Sequence, residues 1–183
     1  MIEAYDIQKH IHHYAVWTAA RASQRGFTKT EHIQAAIDAT DLSALAMGEL
    51  SEIKESKDFD HYHKKVCASL KAYFSENNLP FCSYGRVAKI VAIYLKTAVV
   101  LPTHGKGPLA AMIHPPIDSI LLKNLHRQPA YKQYKLNQYR WTALQEQEYW
   151  ALWEILKSIQ KPPYWQLERY WTSGYCSFVS SPT

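Results

Sequence analysis

Cysteine and glycine are scarce in this chain, acid is scarce in half of it, and no hydrophobic run is long. The three cysteines, Cys67, Cys82 and Cys176, are odd in number and lack any CxxC spacing. That excludes a Cys-pair metal site and a disulfide framework, and they read as reduced thiols filling a core. Six glycines furnish no Walker A loop, and Gly105 and Gly107 merely flank Lys106. No GxSxG elbow supports a serine nucleophile, and no HExxH pattern supports a zinc hydrolase. No apolar run reaches the roughly 18 residues of a membrane helix. The longest candidate, Val87 to Leu101, carries Lys89 and Lys96. The N-terminus opens with Glu3 and Asp6 and has no apolar signal core, so a cytoplasmic protein without a membrane is expected.

Acidic residues are missing from one stretch in particular. Residues 1–83 hold nine Lys/Arg and eleven Asp/Glu, whereas residues 84–183 hold twelve and five. Between Arg86 and Arg140 there are nine bases and one acid, Asp118. Such a field favours polyanions, with DNA or RNA the commonest partner. Within it, Lys123, Arg127, Lys132, Lys135 and Arg140 interleave with Tyr131, Tyr134, Tyr139 and Trp141. Bases of this kind contact phosphates, and aromatic faces stack on unpaired nucleobases. An exposed connector whose rings pack on the core has the same composition.

What the chain does have is helical periodicity over most of its 183 residues, a length that suits one domain. Ile7, Ile11, Tyr14, Ala15, Thr18 and Ala22 mark a first helix behind an Asp6 cap. Thr28 and Glu31 read as a capping box for a second, bearing Ile33, Ala36 and Ile37. A short third is expected around Leu42 to Leu50. Phe59, Tyr62, Val66, Leu70 and Tyr73 mark a fourth, and Val87 to Ala98 a fifth, stopped by Pro102. Pro102 to Pro116, with four prolines and two glycines, reads as a loop. Ile117 to Leu125 begins a sixth helix, Thr142 and Gln145 read as a box opening another, and Pro162-Pro163 start a last short one. The tail from Thr172 is expected to be irregular. The expected fold is all-α: an orthogonal bundle of seven or eight helices in a single domain.

The histidines form no metal site by spacing. His61 and His63 point roughly 200° apart on a helix. His10 and His13 are better spaced, but no carboxylate or cysteine completes them. They read as surface or packed side chains, and no motif calls for a metal or cofactor.

Two helix entries remain. The run Leu79-Pro80-Phe81-Cys82-Ser83-Tyr84-Gly85-Arg86-Val87-Ala88-Lys89 enters the fifth helix, and Ile113-His114-Pro115-Pro116-Ile117-Asp118 enters the sixth. The first resembles the Leu-Pro-Gly-x-Gly-Arg entry of helix-hairpin-helix DNA glycosylases. The second resembles their Pro-(Val/Ile)-Asp segment. The all-helical archaeal 8-oxoguanine DNA glycosylases look nearest, and the resemblance covers about residues 79–126. It implies a catalytic lysine before a catalytic aspartate. The position after Gly85-Arg86, lysine in the bifunctional pattern, is Val87, so Lys89 or Lys96 has to stand in.

The expected function is nucleic-acid binding, with glycosylase-like base excision on Lys89 as amine and Asp118 as carboxylate. Arg86, Lys96, Lys123, Arg127, Lys132, Lys135, Arg140, Tyr134 and Trp141 would hold the nucleic acid. Asp118 also reads as an ordinary helix cap. The alternative is a non-enzymatic helical module binding a protein partner, a second copy or a small ligand through its Trp-rich C-terminus. An accessory protein of a mobile element also fits that alternative.

Overall fold

A computed structural model of the chain describes residues 4–24, 26–79 and 81–171. Every regular element among the described residues is helical, so the fold is all-α. The α-helices run α1 Ile7–Ser23, α2 Thr30–Asp38, α3 Leu42–Ala46, α4 Ser56–Glu76, α5 Tyr84–Leu95, α6 Pro108–Met112, α7 Ser119–Arg127 and α8 Glu146–Ile159. A π-helical turn, Lys96–Val100, extends α5, and 3-10 segments cover Pro129–Tyr134, Leu136–Gln138 and Tyr164–Tyr170.

The molecule is organised around α5. Its sequence, YGRVAKIVAIYL, is apolar on nearly every side, and all its residues except Arg86 are buried. A helix apolar all round needs neighbours all round. α1 and α4 pack most closely on it, with α3 and α8 completing the surround. The largest fully buried side chains include Trp153, Tyr84, Tyr94, Tyr149, Phe59 and Phe74, so the aromatic content serves the core first.

Several helix boundaries differ from those expected on sequence. Asp6 does cap α1, accepting from Gln8 N at 2.8 Å. α2 starts at Thr30 behind Lys29 with no capping side chain, and Thr28 pairs with His32 instead. The box at α8 is formed by Gln145 and Glu148. The stretch read as a loop contains α6, because Pro108 sits at the first helical turn, where its missing N–H costs nothing. α1 is correct in extent, but several residues that mark it are not its buried face. Ile7, Tyr14 and Ala22 are exposed, whereas Ala15, Val16, Ala19, Ala20 and Ser23 are buried. Small residues let α1 approach α5 closely, and that choice outweighs side-chain size. Cys67 and Cys82 are buried free thiols; Cys176 and the tail lie outside the described residues.

Candidate functional site

The site begins at the N-terminus of α5. Ser83 caps the helix by accepting from Arg86 N at 3.3 Å, and its hydroxyl donates to the Thr142 carbonyl at 2.8 Å. Gly85 N–H donates to the Leu144 carbonyl at 3.1 Å. A Cβ added at Gly85 would lie 2.0 Å from the Trp141 carbonyl oxygen. Only glycine permits this crossing, which is what the Tyr84-Gly85-Arg86 sequence supplies. Lys89 lies one turn further along the same face. Its ammonium therefore sits over the Trp141 ring, 4.2 Å from the centroid.

Asp118 is brought in by a buried strap, residues 112–118. His114 anchors the strap to α4 and α8: its Nε2–H donates to Asp60 at 2.8 Å, and Tyr149 O–H donates to its Nδ1 at 3.0 Å. Pro115 and Pro116 then restrict the backbone leading to Asp118. Asp118 Oδ1 caps α7, accepting from Ile120 N and Leu121 N at 2.9 and 3.0 Å. Oδ2 accepts from Trp171 Nε1–H at 2.9 Å and from Lys89 Nζ at 3.4 Å. One carboxylate is thus helix cap and ion-pair partner at once.

Both side chains of the pair are about nine-tenths buried. Burial dominates at Lys89 and pulls its pKa below the ordinary lysine value; the Arg86 charge adds to this, and Asp118 opposes it. The pair opens into a cleft of about 260 Å³ whose walls include Tyr14, Thr18, Ile93, Leu101 and Trp171. Lys96 and Glu168 line the same cleft and form their own ion pair. Burial pushes the Glu168 carboxyl up, with nearby Asp118 adding to the effect and Lys96 opposing it. Lys96 belongs to the π turn that follows α5. Such turns recur at functional sites.

The chain matches no known protein family, no curated protein and no solved structure.

The other residues selected from the sequence divide into two groups. Arg86 is half-buried: it donates to the Ser23 and Gly26 carbonyls at 3.3 Å and lies over the Phe27 and Trp141 rings. Lys123, Arg127, Lys132, Lys135 and Arg140 are exposed. Tyr134, Lys135 and Arg140 line a hollow of about 500 Å³. Lys123, Arg140 and Trp141 line a neighbouring one of about 240 Å³. Trp141 therefore separates this basic surface from Lys89, and its ring is a floor for two cations.

A second polar cluster is buried between α4, α8 and the strap. His63 and His114 stack with ring centroids 4.5 Å apart, and burial lowers the pKa of both. With both imidazoles neutral, one assignment satisfies every group. Trp150 N–H donates to Tyr84 at 3.1 Å, Tyr84 O–H to His63 Nδ1 at 3.4 Å, and His63 Nε2–H to Tyr149 at 3.5 Å. Tyr149 and His114 then complete the chain to Asp60. No group of three His, Cys, Asp or Glu suited to a metal occurs among the described residues.

Sequence reasoning did not find the Trp171 contact with Asp118 or the Lys96–Glu168 pair. Separations of 53 and 72 residues leave no local pattern to read. His114 was legible only as part of the motif it anchors.

Proposed function

We propose that this chain is a nucleic-acid-binding protein whose Lys89–Asp118 cleft performs glycosylase-type base excision. One observation carries the reading. A buried lysine of depressed pKa faces a fixed carboxylate at the inner end of an open cleft. An amine is nucleophilic only when neutral, and desolvation moves lysine toward that state.

The chemistry follows from the two groups. The Lys89 ammonium first releases a proton to water, and the resulting amine attacks the sugar C1′ as the bond from C1′ to the base nitrogen breaks. The electron pair leaves with the base, which takes up a proton. The Asp118 carboxylate stabilises positive charge at the sugar and accepts a proton from the attacking nitrogen. The nitrogen lone pair then forms the C=N bond of an imine between Lys89 and the sugar as the C1′–O4′ bond opens, and O4′ takes up the proton held by Asp118. The exposed bases from Lys123 to Arg140 supply phosphate contacts on the far side of Trp141. A base must leave its stack to enter such a cleft.

Borohydride reduction is the test, because it converts the imine to a stable protein–DNA adduct. The expected result is a covalent adduct with DNA carrying 8-oxoguanine or an abasic site, absent in Lys89→Ala. Asp118→Asn should bind DNA while forming adduct more slowly. Wild-type protein that binds DNA without ever being trapped would remove the excision chemistry. Failure to bind DNA or RNA at all would favour a helical module for a protein partner.

A further inference from the structure

On α1, Ile7, His10, Tyr14, Trp17 and Arg21 recur at three- and four-residue spacing, and all are exposed. This stripe lies away from the small-residue face packed on α5. Tyr14 is 54% exposed and Trp17 52%, unusual for two large rings on one helix face. Their centroids are 5.8 Å apart and their planes differ by 23°, so they form a near-parallel stack. α1 carries no carboxylate within its bounds, and its charged side chains are Lys9 and Arg21. Tyr14 and Thr18 are also walls of the Lys89–Asp118 cleft. The Tyr14 end of the stack therefore stands at the mouth of that cleft, with Trp17 stacked beside it.

We propose that Tyr14 and Trp17 form a base-stacking platform for an unpaired nucleic-acid strand at the mouth of the Lys89–Asp118 cleft. The inference rests on the nucleic-acid reading above and names the form of its substrate. Aromatic faces held open beside basic, acid-free helix surface suit a strand with free base faces. In a duplex those faces are already stacked on one another, so single-stranded or locally unpaired DNA is the preferred ligand. A protein partner would gain nothing particular from the absence of acids; a polyanion does.

The test is fluorescence anisotropy with a labelled oligonucleotide, single-stranded and as the matched duplex. Wild type is compared with the double variant Tyr14→Ala/Trp17→Ala, with Tyr14→Phe/Trp17→Phe, and with Lys132→Ala/Lys135→Ala/Arg140→Ala. Stacking predicts single-strand affinity between about 5- and 150-fold weaker for each base left unstacked. The preference over duplex should vanish in the alanine pair and persist in the phenylalanine pair, and the basic triple variant should weaken both DNA forms. Both rings are exposed, so the alanine pair should retain its helical circular dichroism. An alanine pair that keeps wild-type affinity and preference overturns the platform while leaving the nucleic-acid reading intact. A wild type that prefers duplex also overturns the platform. A wild type that binds neither form overturns the platform and the reading together.

Discussion

At the scale of single residues, Asp118 shows how one side chain meets two demands. Its Oδ1 satisfies two N–H groups of α7, and its Oδ2 faces Lys89 and Trp171. Asparagine would cap nearly as well. It would also leave the buried Lys89 ammonium without its counter-charge, which is the costly way to break an ion pair. A double-mutant cycle of Lys89→Met and Asp118→Asn, read by urea unfolding, should give a coupling of about 1–3 kcal/mol. Coupling near zero would mean that the two side chains do not act as a pair. Gly85 poses a simpler steric question. Its added Cβ would collide with backbone, which cannot rotate away as a side chain would. Gly85→Ala should cost about 1–3 kcal/mol in the same assay. An alanine variant as stable as wild type would contradict the close crossing beneath Lys89.

At the scale of elements, α5 and the N-cap of α7 bring Lys89 and Asp118 together, while the exposed Lys132, Lys135 and Arg140 lie on the connection between α7 and α8. These are separable. If Lys132, Lys135 and Arg140 neutralise phosphates, their replacement by alanine should reduce the slope of log affinity against log salt. The reduction should be about 0.7–0.9 for each phosphate no longer neutralised. Titrations between about 50 and 200 mM salt measure this. An unchanged slope would mean that this face is only a solvated surface. Trapping of Lys89 by borohydride, by contrast, should survive the triple variant once DNA is supplied in excess.

At the scale of the whole molecule, the network from Trp150 to Asp60 ties α4, α5, α8 and the Asp118 strap together with two neutral histidines. Burial lowers the folded-state pKa of His63 and His114 below the ordinary histidine value. The unfolded chain therefore binds more protons below about pH 6.5, and stability falls as pH drops. Each histidine contributes a slope of up to about 1.4 kcal/mol per pH unit below that value. Asp60 acts in the same direction at lower pH: burial works against its carboxylate, but the His114 hydrogen bond and the Lys157 charge outweigh it and hold its pKa down. Melting temperature should accordingly be flat above about pH 7 and decline between about pH 6.5 and 5. Replacing His63 and His114 together by Gln should flatten that decline, at the cost of a lower melting temperature at neutral pH. A wild-type midpoint unchanged from pH 7 to 5 would mean that these rings are not kept neutral.

Sequence by itself determined the helices with clear apolar spacing and their rough bounds, because such spacing is a local property, but it read the short α6 as loop. It also singled out Lys89 and Asp118, through the two glycosylase-like helix entries and because Asp118 is the one acid in a basic stretch. It did not determine which face of α1 is buried, since close approach to α5 favours alanine over the larger Ile7 and Tyr14. The proximity of Lys89 to Asp118, the Trp141 floor, the Trp171 hydrogen bond and the Lys96–Glu168 pair were decided by tertiary structure alone. Each joins residues separated by 29 to 72 positions, and such contacts exist only once α5 has been enclosed by its neighbours. Enclosure is also what removes water from Lys89 and lowers its pKa, so that property belongs to the packed molecule.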